Sequence, residues 1–174
     1  MLAIVLRNLA DLYASQGRFA EAELLYERVV AIREATLGST NPDLAPSLTD
    51  LAQVYALRAQ PGRAEPLYRR ALDIRERAFG PRDLRVATSL HELAHFYASQ
   101  GRLADAEPLY RRALAIREAA VGPDSPALAQ TLEEYAGLLR ASGREKDAQP
   151  LEARLAKLRP SAAPVDPGAP RGAR

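Results

Sequence analysis

Self-similarity at a fixed period constrains this chain more than any other feature, because a repeated segment has to satisfy the same packing each time it occurs. Leu9-Ala10-x-x-Tyr13 returns as Leu51-Ala52-x-x-Tyr55 and as Leu93-Ala94-x-x-Tyr97, 42 residues apart each time. Ala22-x3-Tyr26, Ala64-x3-Tyr68 and Ala106-x3-Tyr110 keep the period, as do Ile32-Arg33-Glu34, Ile74-Arg75-Glu76 and Ile116-Arg117-Glu118. Gly38, Gly80 and Gly122 close the units. A weaker fourth copy starts at Leu132-x2-Tyr135-Ala136-x2-Leu139. The copies divide the chain at about 1–41, 42–83, 84–125 and 126–158.

Each copy carries two apolar stripes of helical period. In the third, Leu90, Leu93, Ala94 and Tyr97 form one, and Ala106, Leu109, Tyr110, Ala113, Leu114 and Ile116 form the other. Ser99-Gln100-Gly101-Arg102 separates them, with Gly101 free to adopt a positive φ. Gly122-Pro123 ends the unit, and Ser125-Pro126 restarts the next helix as cap and first residue, as Asn41-Pro42 does earlier; Asp83 caps before Leu84. Glu65–Arg69, Asp73–Arg77 and Glu107–Arg111 have i,i+4 spacing on exposed faces. Pro66, Pro108 and Pro150 are expected in the first turn of each second helix. The second copy has Ala59-Gln60-Pro61-Gly62 where the first has Gly17-Arg18-Phe19-Ala20, which predicts a rearranged turn of equal length. A single helix pair cannot cover its own apolar faces, so the pairs must stack: an all-α architecture with helix over about 80% of residues 1–158. Residues 159–174 are rich in Pro, Ala and Gly without an apolar period and are expected to be disordered.

Leu-x2-Leu-Ala-x2-Tyr followed by Ala-x3-Tyr-x2-Ala resembles the tetratricopeptide repeat (TPR), and the 42-residue period with Ala-Glu-Pro-Leu-Tyr-Arg-Arg-Ala-Leu is similar to the kinesin-light-chain type. The resemblance implies a right-handed superhelical solenoid of four helix pairs whose concave groove binds a protein or peptide segment. It also implies that the first helix of each copy lines that groove, at Arg7, Asn8 and Asp11; Thr49, Asp50 and Gln53; His91, Glu92 and His95; and Glu133 and Glu134. Five carboxylates in that set give the groove a negative bias and favour a neutral or basic partner. A scaffold or adaptor is therefore the expected function, alone or as a piece of a larger signalling protein.

Other chemistries find little footing. With no cysteine, thiolate catalysis and Cys-based metal sites are excluded. His91-Glu92-x-x-His95 matches the H-E-x-x-H zinc-peptidase pattern, in which two histidines one turn apart bind the metal and the glutamate serves as base. But Leu93-Ala94 belongs to the repeat, Glu92 falls at a position polar in every copy, and only Glu133 or Glu134, about one helix pair away, offers a third ligand. No catalysis, metal or cofactor is expected. The net charge is only +2, and Arg69-Arg70 and Arg111-Arg112 are matched by Glu65, Glu76, Glu107 and Glu118, so solvated helix faces are expected in place of a nucleic-acid surface. No apolar run spans a membrane and no signal pattern follows Met1, which points to the cytoplasm; an Ala- and Arg-rich, Lys-poor composition points to a bacterial source. Ile4 and Val5 replace the small or polar residues of the internal copies, so the first helix is expected to contact another molecule, most simply a twofold partner, or an upstream segment.

Overall fold

The computed structural model describes residues 1–158; the expectation for 159–174 lies outside the described residues. Eight helices follow one another: α1 (Leu2–Ser15), α2 (Phe19–Leu37), α3 (Ala45–Leu57), α4 (Pro61–Phe79), α5 (Leu84–Ser99), α6 (Leu103–Val121), α7 (Ala129–Ala141) and α8 (Glu145–Leu158). Helix makes up 84% of the described residues, and none of them is in a strand. The helices pack as hairpins α1/α2, α3/α4, α5/α6 and α7/α8, each second helix also lies against the next first helix, and α3, α5 and α7 touch in sequence. The result is a right-handed solenoid of four helix pairs.

The small–large alternation explains the close approach. Ala22, Ala64, Ala106 and Ala148 are all buried, and the bulk between the helices comes from Tyr26, Tyr55, Tyr68, Tyr97 and Tyr110. Asp83 caps α5 directly, its carboxylate accepting from the Arg85 N–H at 2.8 Å. Asn41 and Ser125 instead cap one-turn 3-10 segments, Pro42–Leu44 and Pro126–Leu128, that lead into α3 and α7. Pro66, Pro108 and Pro150 lie deeper than expected, at the sixth residue of α4, α6 and α8. All three are exposed, so water can reach the carbonyl that each leaves unpaired.

The turn of the second copy is not rearranged. Gly17, Gly101 and Gly143 have φ of 75°, 73° and 71°, and Ala59 takes φ 56° at the same place. The bond that closes the turn is also kept: Gln60 N–H donates to the Tyr55 carbonyl at 2.8 Å, as Arg18 does to Tyr13 at 2.9 Å. The repeat imposes its geometry on a residue that prefers another, at a local cost of about 1 kcal/mol. One side chain adapts: Arg18 and Arg102 stack over Tyr13 and Tyr97, and where Gln60 replaces them Arg63 reaches back over Tyr55 at 4.0 Å.

Two arginine ladders hold neighbouring pairs in register. Arg33, Arg75 and Arg117, from the second helices, donate to Ser47, Ser89 and Thr131 of the next first helices, at 2.7 and 2.6 Å for the first two. Arg70, Arg112 and Arg154 pair with Glu34, Glu76 and Glu118 of the preceding second helix at 2.5, 2.6 and 2.6 Å. Arg70 and Arg112 are therefore half-exposed staples between neighbouring pairs. The i,i+4 pairs Glu65–Arg69 and Asp73–Arg77 form at 2.9 Å, whereas Glu107 pairs with Arg144 of the next copy at 2.7 Å. In the fourth copy Glu152, at the tyrosine position, pairs with Arg140 at 3.2 Å.

Candidate functional site

Periodicity alone puts the polar residues of each first helix on a common side. The structure brings six of the eleven expected groove residues around one pocket of about 550 Å³: Thr49 and Gln53 of α3, His91, Glu92 and His95 of α5, and Glu134 of α7. Ala56, Leu57 and Tyr68 supply its apolar wall, and Gln100 and Gln130 add amides. The sequence does not single out these five for the site. Tyr68 reads there as a packing residue, and position 130 carries a different residue in every copy, so nothing periodic marks it. Arg7, Asn8 and Asp11 lie on α1 and Asp50 on α3, all outside the pocket lining, as does the exposed Glu133.

The residues differ widely in availability. Gln53 and His95 are exposed, whereas Thr49 and His91 are buried. A first helix rotates each successive residue by about 100°, so positions 49 and 91, one residue before the polar 50 and 92, turn inward. Two of the carboxylates meet arginines. Asp50 meets Arg7 at 2.9 Å, in ionic contact though not aligned as a hydrogen bond. Burial pushes the Asp50 carboxyl up, against the pull of Arg7. Glu92 accepts from Thr49 at 3.3 Å and lies 3.5 Å from Arg75; burial raises its carboxyl too, with Arg75 opposing. Asp11 accepts from the Tyr26 hydroxyl. Two of the five carboxylates expected to give the groove an acidic bias thus face arginines, Asp50 meeting Arg7 and Glu92 meeting Arg75.

His91 carries the tightest cluster. Its Nε2 lies 3.1 Å from Glu134 Oε2, and Tyr110 both donates to Glu134 at 3.0 Å and packs edge-on against the imidazole at 5.5 Å. Burial lowers the imidazole below its ordinary range while Glu134 pulls the other way. The neutral ring then donates Nε2–H to the carboxylate, a tautomer assigned from the partner. Glu134 is thus not a helix pair away from His91 but in contact with it. His91 is spent on Glu134, Glu92 turns toward Arg75, and among the described residues no three His, Asp or Glu side chains are grouped to hold a metal. No helix of the described residues is long and apolar enough to cross a membrane.

A sequence profile described as tetratricopeptide repeat matches residues 1–77 and 85–161. No curated protein matches the sequence. Among solved structures, the chain is similar to BtubC (BKLC) from P. vanneervenii, with a TM-score of 0.82 and 26% identity over 99% of this chain and 69% of that one. It is also similar to the putative kinesin light chain nearly identical TPR-like repeats of Podosopora anserina, with a TM-score of 0.80 and 28% identity over 92% of this chain and 78% of that one. A singly substituted form of the latter gives 0.78 and 28% over 87% and 71%. The same helix pairs that generate the 42-residue period are those the profile and these structures share, and the chain belongs to the tetratricopeptide repeat family.

Proposed function

We propose that this array is a non-catalytic scaffold that holds an extended segment of a partner protein along its first helices, from Asn8 and Asp11 past the pocket to Glu133. The observation that carries the reading is the pocket of about 550 Å³ between α3, α5 and α7, a size that suits a side chain and its flanking backbone. Leu57, Ala56 and Tyr68 offer an apolar seat, and the amide of Gln53 can pair with a main chain, while Gln130 donates to Glu134 at 3.0 Å and leaves its carbonyl to accept. Glu92 faces Arg75 and Glu134 is hydrogen-bonded by Tyr110 and Gln130, so a neutral or basic segment with one apolar anchor fits best.

The test uses peptides selected on the immobilised chain from a random displayed library. Gln53→Arg combined with His95→Glu changes two exposed rim residues, so the fold should persist. Affinity for the selected peptides is expected to fall by about tenfold or more, roughly 1.4 kcal/mol. Unchanged affinity in the double variant would move the binding surface off the pocket. We further propose that α1 contacts another molecule through a surface separate from this one.

A further inference from the structure

The chain's own residues 159–174 carry the chemistry that the pocket asks for. The pocket offers an apolar seat at Ala56, Leu57 and Tyr68, the amide of Gln53, and the carboxylates of Glu92 and Glu134. Leu57 is 54% exposed, so the seat is open. Glu134 takes hydrogen bonds from neutral groups, the Tyr110 hydroxyl and the Gln130 amide, and so still attracts a cation. Between Pro160 and Arg174, Val165 is the one branched aliphatic side chain. Prolines at 160, 164, 167 and 170 lack an N–H, which leaves carbonyls to accept from an amide, and their fixed φ lowers the cost of ordering the segment. Arg159, Arg171 and Arg174 outweigh Asp166. The result is a basic segment with a single apolar anchor.

The point of attachment puts this segment within reach. α7 and α8 form a hairpin closed by a three-residue turn, so the last turn of α8 lies beside the first turn of α7. Leu158, at that end of α8, packs against the core, and Gln130, the second residue of α7, lines the pocket. To enter the pocket the chain has to cross α7, a helix diameter of about 10–12 Å. Val165 follows Leu158 by seven residues, which span up to about 23 Å when extended. We infer that residues 159–174 fold back over the start of α7 and seat Val165 in the apolar part of the pocket, so that a partner has to displace the chain's own tail. This rests on the pocket being the partner's binding site, as proposed above, and adds a competitor tethered to it.

The chain has no cysteine, so Ala163→Cys in the full chain gives a single attachment point for a nitroxide, two residues before Val165. With the tail seated, the label should broaden the amide resonances of Gln53, His95 and Gln130, and should do so equally at tenfold lower chain concentration. Adding Val165→Asp, which places a charge in the apolar seat beside Glu92 and Glu134, should restore them. A short tether corresponds to an effective concentration of about 1 mM, so a tail that alone binds at about 0.2 mM fills about five-sixths of the pockets. Library-selected peptides should then bind Val165→Asp about sixfold more tightly than wild type. Broadening confined to the end of α8, or broadening that fades on dilution, overturns the seating within one chain. Selected peptides that bind wild type and Val165→Asp equally well overturn it too, and leave the pocket as the partner's site if Gln53→Arg with His95→Glu still weakens them.

Discussion

Tyr110→Ala should destabilise the chain by about 3–5 kcal/mol, the usual cost of emptying a buried aromatic site. Tyr110 is among the largest fully buried side chains, at 1% exposure. Its ring packs edge-on against His91 and stacks with Tyr135 at 6.2 Å, so truncation loosens α5, α6 and α7 together. Its hydroxyl also donates to Glu134 beside His91, as the Gln130 amide does at 3.0 Å. For a chain of this size the change lowers the melting temperature by roughly 6–20 °C. Tyr110→Phe separates the two roles: it keeps the ring, removes one hydrogen bond to a carboxylate, and should cost only about 1–2 kcal/mol. Equal losses for Phe and Ala would show that the hydroxyl, not the packed ring, ties the third pair to the fourth.

Arg75→Met should cost about 2–4 kcal/mol, because it keeps the length of a nearly buried side chain and deletes the charge. Ser89 loses the guanidinium at 2.6 Å, and Glu92 loses the cation 3.5 Å away that opposes its burial. The deficit carries a pH signature. Without Arg75 the Glu92 carboxyl rises further above its value in the unfolded chain, so the folded state holds a proton that the unfolded state has released. That contribution is fully present below the unfolded value near 4.5 and is lost as pH rises through the folded one. The gap between variant and wild type should therefore narrow as the pH falls from neutrality toward 4.5, and Arg75→Met with Glu92→Met should recover most of the loss. Chemical denaturation at several pH values measures both. A gap independent of pH would mean that Glu92 does not depend on Arg75.

Much of this was legible in the residues, because each helix pair repeats and three copies vote on every position. The 42-residue period, the alanines at 22, 64, 106 and 148, and the alternation of stripes and turns define the pairs and their stacking. What escaped the sequence was what lies across the stack. The Ile-Arg-Glu triplets were visible as a repeat, and so were Ser47, Ser89 and Thr131 fourteen residues later, but only the fold joins them. Arg70 and Arg112 looked solvated because their partners, Glu34 and Glu76, lie on another helix 36 residues upstream. Ala59 hid a turn that its neighbours preserve through backbone hydrogen bonds, a case of tertiary structure overriding local preference. In the candidate site, helical period located the polar side of each first helix, but one residue of rotation decides between Gln53 in solvent and Thr49 in the interior. Glu134 reaches His91 because α5 and α7 come together, a contact that no spacing within one copy encodes.

The central claim, that the first helices form the binding face, is tested most directly by hydrogen exchange of the full chain with and without a library-selected peptide. The account predicts added protection in α3, α5 and α7 around Gln53, His95 and Gln130, with the outer turns of α2, α4 and α6 unchanged. Protection confined to the second helices would contradict it.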